Sequence, residues 1–147
     1  MLKNVLTSDL VATDVEAKTW REAVTACGSL LVGQNLVEEG FIAEMIKVVE
    51  EFGPYMILVP EVAFFHGPPS ELVKETALSL IALKEPIYFT EYTGQKVSCA
   101  FGFGAIDKDS HLGILMALSS ILQNEEFIEM ITHNADKASI MRVIEKY

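Results

Sequence analysis

The chain reads as an α/β fold, a mixed β-sheet sandwiched between helices, and three observations predict it. A capping box opens a run of helical periodicity in the first third. Short apolar runs bounded by Gly and Pro fill the middle. Helical spacing returns after Asp107 and holds to the end. With 147 residues the chain is long enough for a substantial core, and residues 1–147 are taken as a single domain.

Thr19-Trp20-Arg21-Glu22 is the capping box, with the Thr hydroxyl placed to accept from an amide three residues on and Glu22 reaching back. From it, Trp20, Ala23, Val24, Cys27, Leu30 and Leu31 fall on one helical face, and Gly33 stops the helix. A second helix starts near Glu38-Glu39, where carboxylates suit the positive end of the dipole. Phe41, Ile42, Met45, Ile46, Val49 and Phe52 form its apolar stripe, and Gly53-Pro54 ends it. Tyr55 to Val59 and Val62 to Phe65 read as short strands. Glu71 to Leu83 fits a helix on propensity, and from Thr76 onward it fits a buried strand equally; Pro86 closes either one. Val97, Cys99, Phe101 and Phe103 alternate with Ser98, Ala100, Gly102 and Gly104, a strand with one face small enough for close packing. A helix then runs to about Leu122 with Asp109 or Ser110 as N-cap, apolar nearly all round and expected to be buried. A short helix at Phe127–Ile131 and a last one from Asp136 to Lys146 complete the chain.

Half the residues are hydrophobic and 22% are charged, with a net charge of −10 and a pI near 4.7. That balance argues against nucleic acid and against anchoring on an anionic membrane. No apolar run reaches the length of a membrane span, and residues 1–9 lack the apolar stretch of a signal peptide. Cys27 and Cys99 are isolated in apolar surroundings and read as reduced core thiols of a cytoplasmic protein. Without CxxC or HExxH, no metal site is expected. No Walker loop, no GxGxxG after a strand and no GxSxG elbow is present, so no nucleotide or other cofactor is expected.

Three histidines remain. His133 falls in a polar turn and receives no role. His66 ends the run Val62-Ala63-Phe64-Phe65 and is followed at once by Gly67-Pro68-Pro69, which force the chain out of the sheet. A histidine at such a corner is held rigidly yet faces solvent, and an ordinary loop histidine would look the same from the local sequence. His111 lies in a first helical turn, where free backbone amides attract anions, although Asp107 and Asp109 oppose a phosphate there. A reactive histidine with no nucleotide site points to a relay between proteins.

The ordered blocks Thr19-Trp20-Arg21-Glu22-Ala23-Val24, Gly53-Pro54-Tyr55 before Leu58-Val59-Pro60, Ala63 with His66, Leu78-Ser79-Leu80 with Leu83-Lys84-Glu85-Pro86, and Asp107 with His111-Leu112 span nearly the whole chain. Together they resemble the enzyme IIA component of the bacterial phosphoenolpyruvate-dependent sugar phosphotransferase system, in its mannitol/fructose superfamily and nearest the ascorbate-type branch. The resemblance implies the mannitol/fructose-type IIA fold, with Glu71–Leu83 supplying a strand after Thr76. It implies that His66 takes a phosphoryl group from the phosphocarrier HPr and passes it to a cysteine of enzyme IIB, in uptake of an ascorbate-like or related carbohydrate. His111 would hydrogen-bond the phosphorylated site, and the Gly67 N–H would support the phosphate. Phe64, Phe65, Pro68 and Pro69 would line one apolar surface on which both partners dock in turn.

The chain departs from the family pattern. Glu61 stands where Gly is usual after the proline, Phe65 where a proline often precedes the histidine, and Pro68 where the branch often has Arg. The second helix carries Lys47 and no Arg. These changes keep both histidines and remove positive charge from around the phosphate. Two rival readings follow: a regulatory module phosphorylated on His66 as a signal, and an interaction domain that is no longer phosphorylated.

Overall fold

The computed structural model describes residues 2–89, 94–109 and 111–147. Their helices are α1 (Leu2–Val5), α2 (Trp20–Gly33), α3 (Gly40–Phe52), α4 (Leu112–Ile121), α5 (Glu125–Thr132) and α6 (Lys137–Ile144). The strands are β1 (Val11–Val15), β2 (Ile57–Val59), β3 (Glu61–His66), β4 (Ala77–Tyr88) and β5 (Lys96–Gly104). They form one mixed sheet in the order β1-β4-β5-β3-β2. β1 runs parallel to β4 and β3 parallel to β5, while β4–β5 and β2–β3 are antiparallel. The predicted helices and the middle strands are therefore present, with a 3-10 turn at Gly53–Met56 delaying the start of β2 from Tyr55 to Ile57, and the stretch after Thr76 is a strand.

The β5 alternation sorts the helices onto two faces. A Cβ at Gly102 would lie 2.7 Å from Cys27 Cβ and from Ser79 Oγ, and one at Gly104 would lie 3.1 Å from the Phe41 ring. The small face of β5 thus receives α2 and α3 at close range, as its composition predicts. Ser79 anchors the contact by donating to the Cys27 carbonyl at 2.9 Å. Burial pushes the Cys27 and Cys99 thiols far up, so neither is a ready nucleophile. Cys99, Phe101 and Phe103 point the other way, toward the α4–α5 side.

The Thr19 half of the capping box holds, with Thr19 Oγ1 accepting from Glu22 N–H at 3.2 Å, while the Glu22 carboxylate accepts from the Thr19 hydroxyl at 3.4 Å. Four expectations need correcting. β1 lies in a segment with no strand signal. Thr13 and Asp14 interrupt its apolar pattern, and Asp14 adopts a positive φ of 57° with its N–H on Asn134 Oδ1 at 2.7 Å. Pro86 does not close β4. It lies past the last β1 partner, at Leu83, and inside the register irregularity between Ala82 and Ile87, where the ladder asks nothing of its missing N–H. α4 is not buried all round: Ile114, Leu118 and Ile121 face the core, while Leu112 and Met116 are 61% and 65% exposed. Asp109 is not the cap of α4, because His111 directly precedes the helix and makes no side-chain cap bond. The alternative cap, Ser110, lies outside the described residues.

Candidate active site

Register builds the site. In the parallel β3–β5 pair, Phe64 lies beside Phe101 and His66 beside Phe103. Alternation places these four side chains on the α4–α5 face and sends Ala63 and Phe65 to the other. The rings then touch in series. Phe64 lies 5.3 Å from His66 and stacks on Phe103 at 5.5 Å, and Phe103 meets His111 edge-on at 6.3 Å. A cavity of about 280 Å³ at the carboxyl ends of β3 and β5 is lined by His66, Gly67, Phe103, Asp107, Lys108 and His111, among others. Two histidines 45 positions apart in the sequence thus share one wall.

His66 Nδ1 lies 3.4 Å from the Phe64 carbonyl oxygen. A carbonyl only accepts, so Nδ1 carries the proton and Nε2 keeps its lone pair. Burial holds the His66 pKa below its ordinary value, and the bond to Phe64 opposes that only in part. The imidazole is therefore neutral at neutral pH, with one fixed tautomer and one free nucleophilic nitrogen.

Both loops around the cavity are anchored. Gly67 passes beneath Phe41, where a Cβ would meet the ring at 2.7 and 2.8 Å, so the close approach requires glycine. Beyond the two exposed prolines, Ser70 donates to Glu44 at 2.7 Å and accepts from the Leu72 amide at 3.1 Å. On the facing loop, Ile106 N–H donates to Thr76 Oγ1 at 3.1 Å, and Asp109 N–H donates to Asp107 Oδ1 at 3.0 Å. The His111 carbonyl accepts the Leu115 amide at 3.0 Å, which starts α4 beside the cavity.

Phe65 is fully buried and Phe64 nearly so, which removes Phe65 from any partner-facing patch. The exposed apolar residues near the cavity are instead Ile106, Leu112 and Met116. A second, apolar groove of about 390 Å³, lined by Leu58, Leu118 and Leu122, shares Phe64 and Leu115 with the first. Lys108 gives no sequence signal, because between two aspartates it reads as part of a solvated turn. His133 ends α5, exposed, with Nδ1 3.1 Å from the Glu129 carbonyl and no link to the cavity.

Residues 4–147 match the family described as phosphoenolpyruvate-dependent sugar phosphotransferase system, EIIA 2. The chain belongs to this family. It is a phosphotransferase that works through a phosphohistidine in the phosphoryl relay of sugar uptake. It is 30% identical over 137 residues to the ascorbate-specific PTS system EIIA component of Escherichia coli K12, covering 92% of this chain and 89% of that one. It is 34% identical over 116 residues to the protein of the same description from Salmonella typhimurium, covering 78% and 75%. Among solved structures, the mannitol-specific cryptic phosphotransferase enzyme IIA of Escherichia coli superposes with a TM-score of 0.86 at 28% identity, covering 99% of each chain. The mannitol IIA of Escherichia coli shares the fold, with a TM-score of 0.81 at 22% identity, covering 95% of this chain and 98% of that one. No helix among the described residues of this IIA protein is long and apolar enough to cross a membrane.

Proposed function

We propose that His66 is the phosphorylated residue, that its Nε2 accepts the phosphoryl group from HPr, and that the group passes on to a cysteine of a IIB component. One observation carries this reading. His66 presents a neutral imidazole with Nδ1 bound to the Phe64 carbonyl, at the mouth of a cavity that it shares with His111. The donor's P–N bond breaks and its electron pair stays on the donor imidazole. The Nε2 lone pair forms the new P–N bond, and Nδ1 keeps its proton on Phe64. A IIB thiolate then attacks the phosphorus, and the electron pair of the P–N bond returns to Nε2. Transfer of this kind needs positioning and charge stabilisation more than covalent help. His111 supplies a hydrogen bond to the phosphoryl oxygens, and the Gly67 N–H supplies another.

The matches to proteins named ascorbate-specific support an ascorbate-like or related carbohydrate as the transported substrate. A structural neighbour, the mannitol IIA of Escherichia coli, is described in complex with phosphorylated enzyme IIB, which supports a IIB partner here. The family match over residues 4–147 supports one IIA domain, working in the cytoplasm where soluble donors and acceptors meet. The deciding experiment incubates the protein with enzyme I, HPr and phosphoenolpyruvate. The expected product is an acid-labile, base-stable phosphate on the peptide containing His66. Stable incorporation elsewhere, or none at all, overturns the assignment.

A further inference from the structure

We propose that Lys108 is the cation that meets the phosphoryl group on His66, an inference that rests on the reading of His66 above. A phosphoryl group brings up to two negative charges into a protein whose net charge is already −10. Desolvated anions need a compensating charge nearby. Among the described residues, Lys108 is the one Lys or Arg that lines the cavity of His66 and His111. Five other cations have partners elsewhere. Arg21 pairs with Glu50, Lys84 with Glu16 and Lys96 with Glu61, while Lys74 binds Asn35 and Arg142 binds Ser139. Lys47 is exposed on α3 and does not line the cavity. The Lys108 ammonium makes no ion pair with a described residue.

Its placement is fixed by backbone on both sides. The Ile106 amide is held by Thr76, and the Asp109 amide by Asp107 Oδ1, so the Cα of Lys108 stays at the rim while its long stem remains free to follow the phosphate. Asp107 lines the same cavity, but the Oδ1 that accepts from Asp109 is turned to its own loop. Lys108 forms and breaks no covalent bond. It offsets charge on the three oxygens while the phosphorus moves between nitrogens.

The test compares wild type with Lys108→Gln, Lys108→Glu and Lys108→Arg, using phospho-HPr as donor and phosphorus NMR on the product. Lys108 is exposed and supports no other side chain, so all four proteins fold. Acceptance should slow by about three- to tenfold in Lys108→Gln and further in Lys108→Glu, and Lys108→Arg should restore it. The second ionisation of the phosphohistidine should move up by roughly 0.3–1 pH unit in Lys108→Gln, since a lost cation makes the dianion harder to form. A merely structural residue would not move that titration. If wild type is phosphorylated on His66 while Lys108→Gln matches it in rate and titration, the Lys108 inference falls and the His66 reading stands. If wild type takes no phosphate on His66, both fall.

Discussion

Phe103 is the register neighbour of His66 across β3–β5 and at the same time packs edge-on against His111. One side chain therefore fixes the spacing between the two histidines, and the site depends on strand register as much as on the histidines themselves.

Replacing His66 with Ala should abolish phosphorylation and leave the fold intact, because the ring is only part-buried at a strand end. Retention of full label by His66→Ala in a phosphotransfer assay would assign the chemistry elsewhere. In wild type, acceptance should decline in acid only below the ordinary histidine range. Burial lowers the His66 pKa, so the neutral nucleophile persists as pH falls through 6.5 and is lost at a lower value. Single-turnover rates against pH measure this directly.

His111→Ala should slow transfer roughly ten- to a hundredfold, the cost of losing a charge-assisted hydrogen bond of about 1.5–3 kcal/mol. Phosphate should remain on His66 alone. His111 precedes α4 and makes no side-chain cap, so thermal unfolding should shift little.

Gly67→Ala should drive a methyl group into the Phe41 ring and displace the start of the histidine loop. The expected loss in transfer rate exceeds the loss in stability. A smaller residue at Phe41 gives the methyl room. The double variant Gly67→Ala/Phe41→Leu should therefore be non-additive, regaining part of the rate lost by Gly67→Ala, in a double-mutant cycle of rate and urea midpoint. Simple additivity would remove the steric explanation.

Met116→Asp should weaken docking of both HPr and IIB and leave the fold unchanged, since the side chain is 65% exposed on the unpacked face of α4. Chemical-shift mapping with each partner should give one overlapping footprint that includes Leu112 and Met116 and spares buried Phe65. Two separate footprints would refute a shared surface.

Glu61 holds a positive φ of 69°. Its carboxylate accepts from the Ser98 hydroxyl and pairs with Lys96 at 3.4 Å. Glu61→Ala keeps the strain and loses both partners, so it should destabilise by about 1–2 kcal/mol, and Glu61→Gly by about 1 kcal/mol less, measured by urea unfolding. The bond to Ser98, then Lys96, lowers the Glu61 pKa below its ordinary 4.5. Its stabilisation is therefore complete above 4.5 and lost as pH falls through the lowered value. The stability of Glu61→Gln should depend less steeply on pH in that window.

Much of this was legible in the sequence because local chemistry agreed with the fold. The Thr19–Glu22 cap, the Gly53-Pro54 stop and the small face of β5 each act over a few residues. The His66 corner could be read for the same reason. What escaped was set by distant partners. β1 survives a left-handed Asp14 because Asn134, 120 positions away, takes its amide. Phe64 and Phe65 take opposite faces of any strand, but only the pairing of β3 with β5 shows which of the two faces the site. Lys108 gains its meaning from a cavity that neither neighbour announces. The exposed Leu112–Met116 face of α4 was hidden by hydrophobicity itself, since an apolar residue left on the surface reads like one that is buried.

His66 and His111 share a cavity because β3 pairs in parallel with β5, and β5 in turn pairs with β4, which carries β1. His66 ends β3 and His111 precedes α4, so neither element alone holds both histidines. Phosphoryl acceptance at this cavity should therefore depend on the β3–β5 pairing as well as on the histidines. In mild denaturant, acceptance should fall together with the sheet signal, because the shared cavity is lost when β3 and β5 part.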